Sequence, residues 1–163
     1  MNVNKKIILF CIVCLSIFVF DCWAQPYLIM NNSVMEPTIK KGDIIFVNPS
    51  AFETQLPERW DIVVYKRPTE YYKGPFVMRI VGLPGEVISY DSVGILIDGE
   101  RLTPPIPQII YSIYKDARVI HHPFPIPENE YYLIGDNVDD AIDSRFWGSI
   151  QKENIIGKVT NIW

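Results

Sequence analysis

Three groups of side chains have the types needed for chemistry. Ser33 lies in the turn-rich stretch Asn31-Asn32-Ser33-Val34-Met35-Glu36-Pro37-Thr38. A serine hydroxyl attacks a carbonyl once a base takes its proton, and Lys66 and Lys73 are lysines that could be offered for that role. The competing readings are plainer: a turn serine and a solvated strand end at Lys66, and Lys73 stands five residues before Met78, an odd offset that would put the two on opposite faces of a strand; Met78 takes its meaning from the resemblance described below. His121-His122 could begin a metal site, but no third ligand stands at metal spacing, and a solvated loop pair accounts for them. Asp136, Asp139, Asp140 and Asp143 faintly suggest a calcium loop. The helix–loop–helix calcium spacing and its terminal glutamate are absent, so an acidic turn with a charge partner for Arg145 is the expectation. No metal and no cofactor is expected.

These residues must be positioned by strands. The chain has 163 residues, enough for one domain with a real core plus an N-terminal extension. Thirteen prolines suit strands joined by irregular loops rather than helices, and a net charge of −4 argues against a nucleic-acid footprint. Cys11, Cys14 and Cys22 are all the cysteines there are, so a disulfide framework, a thiol nucleophile and a cysteine metal site are excluded from residue 23 onward. Apolar β-branched and aromatic runs predict strands at Ile44–Val47, Ile62–Tyr65, Phe76–Val81 and Val87–Tyr90. Further strands are predicted at Ile95–Ile97, where Asp98-Gly99 signals a hairpin, at Tyr131–Ile134, and from Ile155 to Trp163. The proline-punctuated segment from about 100 to 129 reads as a smaller inserted lobe. No helical periodicity persists for more than two turns in this part, so the fold class is mostly β and antiparallel.

The opening is different. Lys5-Lys6 precede a mostly apolar run from Ile7 to Phe20, interrupted by Asp21. A cleaved signal peptide ending at Cys22-Trp23-Ala24 and a short, single-pass transmembrane anchor both fit; a buried core helix is the third reading. Either membrane reading keeps the two lysines cytoplasmic and puts residues 25–163 on the periplasmic or extracellular side. Lys40-Lys41 is read as a solvated pair just past that membrane.

Four blocks of sequence, in order, carry a resemblance. Val34-Met35-Glu36-Pro37-Thr38 followed by Gly42-Asp43 is similar to S-M-x-P-T before G-D. Trp60-Asp61-Ile62-Val63-Val64-Tyr65 is similar to G-D-I-V-V-F, and Met78-Arg79-Ile80-Val81-Gly82-Leu83-Pro84-Gly85-Glu86 to K-R-x-x-G-L-P-G-D. The fourth block, from Gly135 to Gly148, is similar to G-D-N-x-x-x-S-x-D-S-R-x-x-G. Together they resemble the bacterial type I signal peptidases, membrane-bound serine endopeptidases with a Ser/Lys dyad, over roughly Pro26 to the C-terminus.

That resemblance implies an antiparallel β fold of the signal peptidase type behind one N-terminal apolar helix. It also implies the places of the catalytic groups. The nucleophile position is Val34, the general-base position Met78 and the base-orienting position Ala141, so no catalytic residue is intact and Ser33 is the fallback nucleophile. Asn31, Asn32, Met35, Phe76 and Val77 fall on the implied substrate groove, part of the stretches Tyr27 to Asn32 and Tyr72 to Val77. Pro37, Arg79, Gly82, Pro84, Gly85, Gly135, Asp136, Asp143, Arg145 and Gly148 remain as scaffold, the arginines as charge partners for acids and the glycines in turns. The implied partners are the lipid bilayer, exported polypeptides or signal peptides, and an active paralogue. Three functions follow: a non-catalytic member that binds or assists exported chains, a working protease using Ser33, or a structural envelope protein on the same fold.

Overall fold

A computed structural model describes residues 26–67, 74–91, 94–103, 105 and 123–163. The N-terminal apolar segment, Tyr72, Lys73, His121-His122 and most of the segment from 100 to 129 lie outside the described residues. Among the described residues the regular secondary structure is almost entirely strand, in two antiparallel sheets joined by irregular loops.

In chain order the strands are β1 (Tyr27–Ile29), β2 (Ile44–Asn48), β3 (Ile62–Tyr65), β4 (Phe76–Gly82), β5 (Val87–Asp91) and β6 (Gly94–Ile97). They continue as β7 (Glu100–Arg101), β8 (Phe124–Pro125) and β9 (Glu130–Ile134). A one-turn helix α1 (Ser144–Trp147), β10 (Ile150–Gln151), a short 3-10 turn and β11 (Ile155–Ile162) follow. The larger sheet runs β1-β2-β11-β3-β4-β9-β10 and the smaller β7-β6-β5-β8. Each strand predicted from an apolar run is present. β1, β8 and β10 are two or three residues long, too short for periodicity to mark them. Asp98 and Gly99 make the predicted hairpin turn with positive φ at both positions, pairing β6 with β7. β7 and β8 are the described ends of the expected lobe, and both join the smaller sheet.

β4 is buried along nearly its whole length because it feeds two cores. One core holds Met30, Met35, Ile39, Ile45, Val63, Tyr65, Met78 and Leu133 among others. The other, beneath the smaller sheet, gathers Val81, Ile88, Ile95, Tyr132 and Ile134. Gly82 belongs to the end of β4, not to a turn: a Cβ there would lie 2.9 Å from the Tyr132 Cβ and collide with Ile126. Gly85 and Gly148 do hold turns, with φ of +80° and +86°.

Candidate functional site

The loop carrying Val34 leaves the end of β1 and is pinned by apolar pegs. Met30 N–H donates to the Asp43 carbonyl at 2.9 Å, and Gly42 N–H donates to the Met30 carbonyl at 2.8 Å, closing the loop at its base. Met35 and Ile39 are fully buried and tie its middle to the first core. Val34, between the pegs, is half-buried and packs on that core.

A second loop, after β9, lies against the first. Asn137 joins them: its backbone N–H donates to the Val34 carbonyl at 3.0 Å and its side-chain amide to the Ser33 carbonyl at 3.1 Å. The Ser33 hydroxyl donates to the Asp140 carboxylate in a short hydrogen bond. The Ala141 N–H returns to the Asn137 carbonyl at 3.0 Å. Gly135 is where the loops come closest. A Cβ on it would stand 2.5 Å from the Ala141 Cβ and 2.7 Å from the Val34 carbonyl oxygen. This glycine is kept by close approach, not by a turn. Val34 and Ala141 therefore flank the same small space.

Met78 enters from the middle of β4, opposite Val63. It is 2% exposed and lies in the core against which Val34 packs. The Tyr65 hydroxyl donates to its sulfur at 3.3 Å. Tyr65 itself is clamped by ring contacts to Phe76, at 5.5 Å between centroids, and to Trp147, at 6.1 Å. Burial, reinforced by the Asp143 carboxylate, pushes the Tyr65 hydroxyl well above its usual range. A tyrosine held neutral there is a donor to the thioether and no base at ordinary pH.

Two buried ion pairs frame the loops. Arg145 pairs with Asp143 as expected, through two hydrogen bonds of 2.7 and 2.8 Å, and also donates to the Val138 and Ala141 carbonyls. Asp143 caps α1 and accepts from the Gly135 N–H at 3.1 Å. Burial pushes the Asp143 carboxyl above its usual range against the pull of Arg145. Arg79, in contrast, takes Asp136 as its partner through hydrogen bonds of 2.8 and 2.7 Å. β4 and β9 are neighbours, with Arg79 opposite Ile134, so the residues just past β9 are the ones within its reach.

Of the residues expected on the groove, Asn31 and Asn32 are exposed and Phe76 is half-buried, whereas Met35 and Val77 belong to the core. Lys66 is exposed at the end of β3. Asp136 is engaged with Arg79, Asp140 with Ser33 and Asp143 with Arg145, so they do not converge on one point. The parts Tyr65 and Asn137 play were missed by sequence reasoning. The signal for Tyr65 was its place on a strand paired with the one bearing Met78; Asn137 stood in the fourth block without a role.

Comparison with known proteins finds relatives in one family. The profile of the family described as signal peptidase, peptidase S26, matches residues 3–163. Signal peptidase I V of Bacillus subtilis is 27% identical over 135 residues, covering 78% of this chain and 79% of that protein. Signal peptidase I of Leptolyngbya laminosa is 30% identical over 148 residues, covering 86% of this chain and 69% of its own. A probable signal peptidase I-2 of Synechocystis is 28% identical over 132 residues, and this chain spans 57% of its length. A crystal structure of a signal peptidase I from Enterococcus faecalis superposes with a TM-score of 0.49 at 23% identity, over 65% of this chain and 98% of that one.

Proposed function

Because the chain belongs to the signal peptidase family, peptidase S26, we propose that it is a member that binds or assists exported polypeptides without cleaving them. Family membership brings association with bacterial membranes and with exported, signal-peptide-bearing chains. The proposed arrangement is a single-pass segment at residues 1–24 and a globular part, 25–163, on the outer side of the cytoplasmic membrane, with the segment from about 100 to 129 as its smaller lobe. The observation that carries the non-catalytic reading is Met78. It stands at the position of the general base, buried in an apolar core with its sulfur accepting from Tyr65. A thioether takes no proton at neutral pH, Val34 has no attacking oxygen, and Ala141 has no group to orient a base. Three apolar side chains around Gly135 and β4 ask for no hydrogen bonds, so the former chemistry is replaced by packing.

One contact favours a second reading. The Ser33 hydroxyl donates to the Asp140 carboxylate, the direction of donation that a serine with a carboxylate base would need. The test separates the two: purified protein is incubated with a preprotein carrying a cleavable Ala-x-Ala site. No specific cleavage is expected. Cleavage at that site, abolished by Ser33→Ala, would replace the non-catalytic reading by the displaced-serine enzyme.

A further inference from the structure

Beside Met78, the face shared by β3 and β4 runs out to a stacked cation. Val63 stands opposite Met78 and Tyr65 opposite Phe76, so these side chains form two adjoining rows on one face. Arg67, two residues past Tyr65, comes to the same side. Its guanidinium lies 4.7 Å from the centre of the Trp147 ring, the ring that Tyr65 also contacts. Trp147 is fixed in turn, its indole N–H donating to the Ile142 carbonyl at 3.3 Å. Ile142 follows Ala141 directly and is 67% exposed. Phe76, Trp147 and Arg67 are half-buried. Outward from the buried thioether the chain therefore presents an aromatic ledge, an exposed isoleucine and a guanidinium.

Arg67 differs from the other described arginines. Arg59 holds Glu86, Arg79 holds Asp136, Arg101 holds Asp91 and Arg145 holds Asp143. Among the described residues no carboxylate pairs with Arg67, which rests on an aromatic ring. Asp143, whose charge also reaches the Tyr65 hydroxyl, is already taken by Arg145. A guanidinium stacked on an indole keeps its N–H edge for a carboxylate in its own plane. We propose that Arg67, on the ledge made by Phe76, Trp147 and Ile142, binds an acidic side chain of the exported polypeptide. The proposal rests on the polypeptide-binding half of the reading above and is independent of whether Ser33 cleaves. Charge names the residue type, and strand geometry names its place. Arg67 lies four residues beyond Val63, the partner of Met78, a distance of at most about 13 Å. In an extended polypeptide the acid therefore stands within about four residues of the one facing Met78, and an apolar neighbour covers Ile142.

The full chain in detergent micelles is titrated, by fluorescence anisotropy, against fluorescein-labelled synthetic peptides that span an Ala-x-Ala site. One Asp is moved through every position within four residues of the second Ala, other than the first Ala, with Asn at the same position as control. At one of these positions the Asp peptide is expected to bind about three- to fivefold tighter than its Asn control. Arg67→Gln should erase that preference and Arg67→Lys should keep part of it. Arg67→Glu should transfer it to a peptide with Lys at the same position. Equal binding of Asp and Asn peptides at every position by the unaltered chain would overturn the proposal. So would a loss in Arg67→Gln that is the same for both peptides, which would make Arg67 a clamp for Trp147 and nothing more. The two readings stay apart: peptides that bind without regard to charge defeat only the ledge, whereas failure of every peptide to bind defeats the polypeptide-binding reading with it.

Discussion

In the proposed reading Val34, Met78 and Ala141 stand at the positions of one catalytic unit, and such a unit fails or works together. On that reading repair should be steeply cooperative. Val34→Ser alone adds a hydroxyl to the loop that packs on the core holding Met78, without a lysine to take its proton, and no cleavage above background is expected. Met78→Lys places an amine in an apolar core, where burial lowers its pKa toward the neutral form a base needs. The pair Val34→Ser with Met78→Lys is therefore expected to exceed the serine variant by about 10²–10⁴-fold. Adding Ala141→Ser should raise the rate again, read as initial cleavage of a preprotein by gel. Equal rates in the serine single variant and the triple variant would remove Met78 from the base position. Gly135 imposes a different constraint. Gly135→Ala would press on the Ala141 Cβ and the Val34 carbonyl, and is expected to cost about 1–3 kcal/mol in denaturant unfolding. Ala141→Gly should relieve only part of that, because the backbone oxygen stays.

At the scale of elements, β4 and β9 carry the site between them, and the Arg79–Asp136 pair fastens one to the loop after the other. Asp136 is fully buried and Arg79 nearly so. Asp136→Ala would leave a buried guanidinium uncompensated and should cost about 3–5 kcal/mol, measured as a fall in the unfolding midpoint in detergent. The double change Arg79→Leu/Asp136→Asn should recover much of it, since the penalty lies in the orphaned charge. This pairing marks the limit of what the sequence made legible. The strands with four or more apolar residues could be read directly, because β-branched runs between prolines and glycines allow little else. β1, β8 and β10 exist only through their neighbours, and a three-residue strand has no pattern of its own. The positions around Gly135 were legible through ordered motifs. Which acid would take Arg79, which loop would receive the Ser33 hydroxyl, and that Tyr65 would reach Met78 depend on strand register. Register between β3 and β4 is hidden behind a ten-residue connection.

Seen whole, both cores contain a buried tyrosine whose hydroxyl is pushed well above the usual range, Tyr65 in one and Tyr132 in the other, each chiefly by burial. The sign follows from linkage: a folded pKa above the unfolded value of about 10 gives stability that is complete below pH 10 and is lost as pH rises beyond it. Alkaline unfolding should therefore affect both sheets, with tyrosinate absorbance rising late and together with loss of structure. In Tyr65→Phe the transition should move to higher pH relative to its own neutral-pH stability; an unchanged transition would show that Tyr65 ionises freely. β11 lies between β2 and β3, yet it is made from residues 155–162, ninety residues after β3 in the chain. Until that strand arrives, the larger sheet is two fragments with open edges at β2 and β3, and closing it requires a long-range pairing that local contacts cannot replace. In the proposed arrangement, with the globular part crossing the membrane behind its N-terminal segment, this order of assembly has a use: the chain stays loose enough to pass, and locks only when its distal strand has come through.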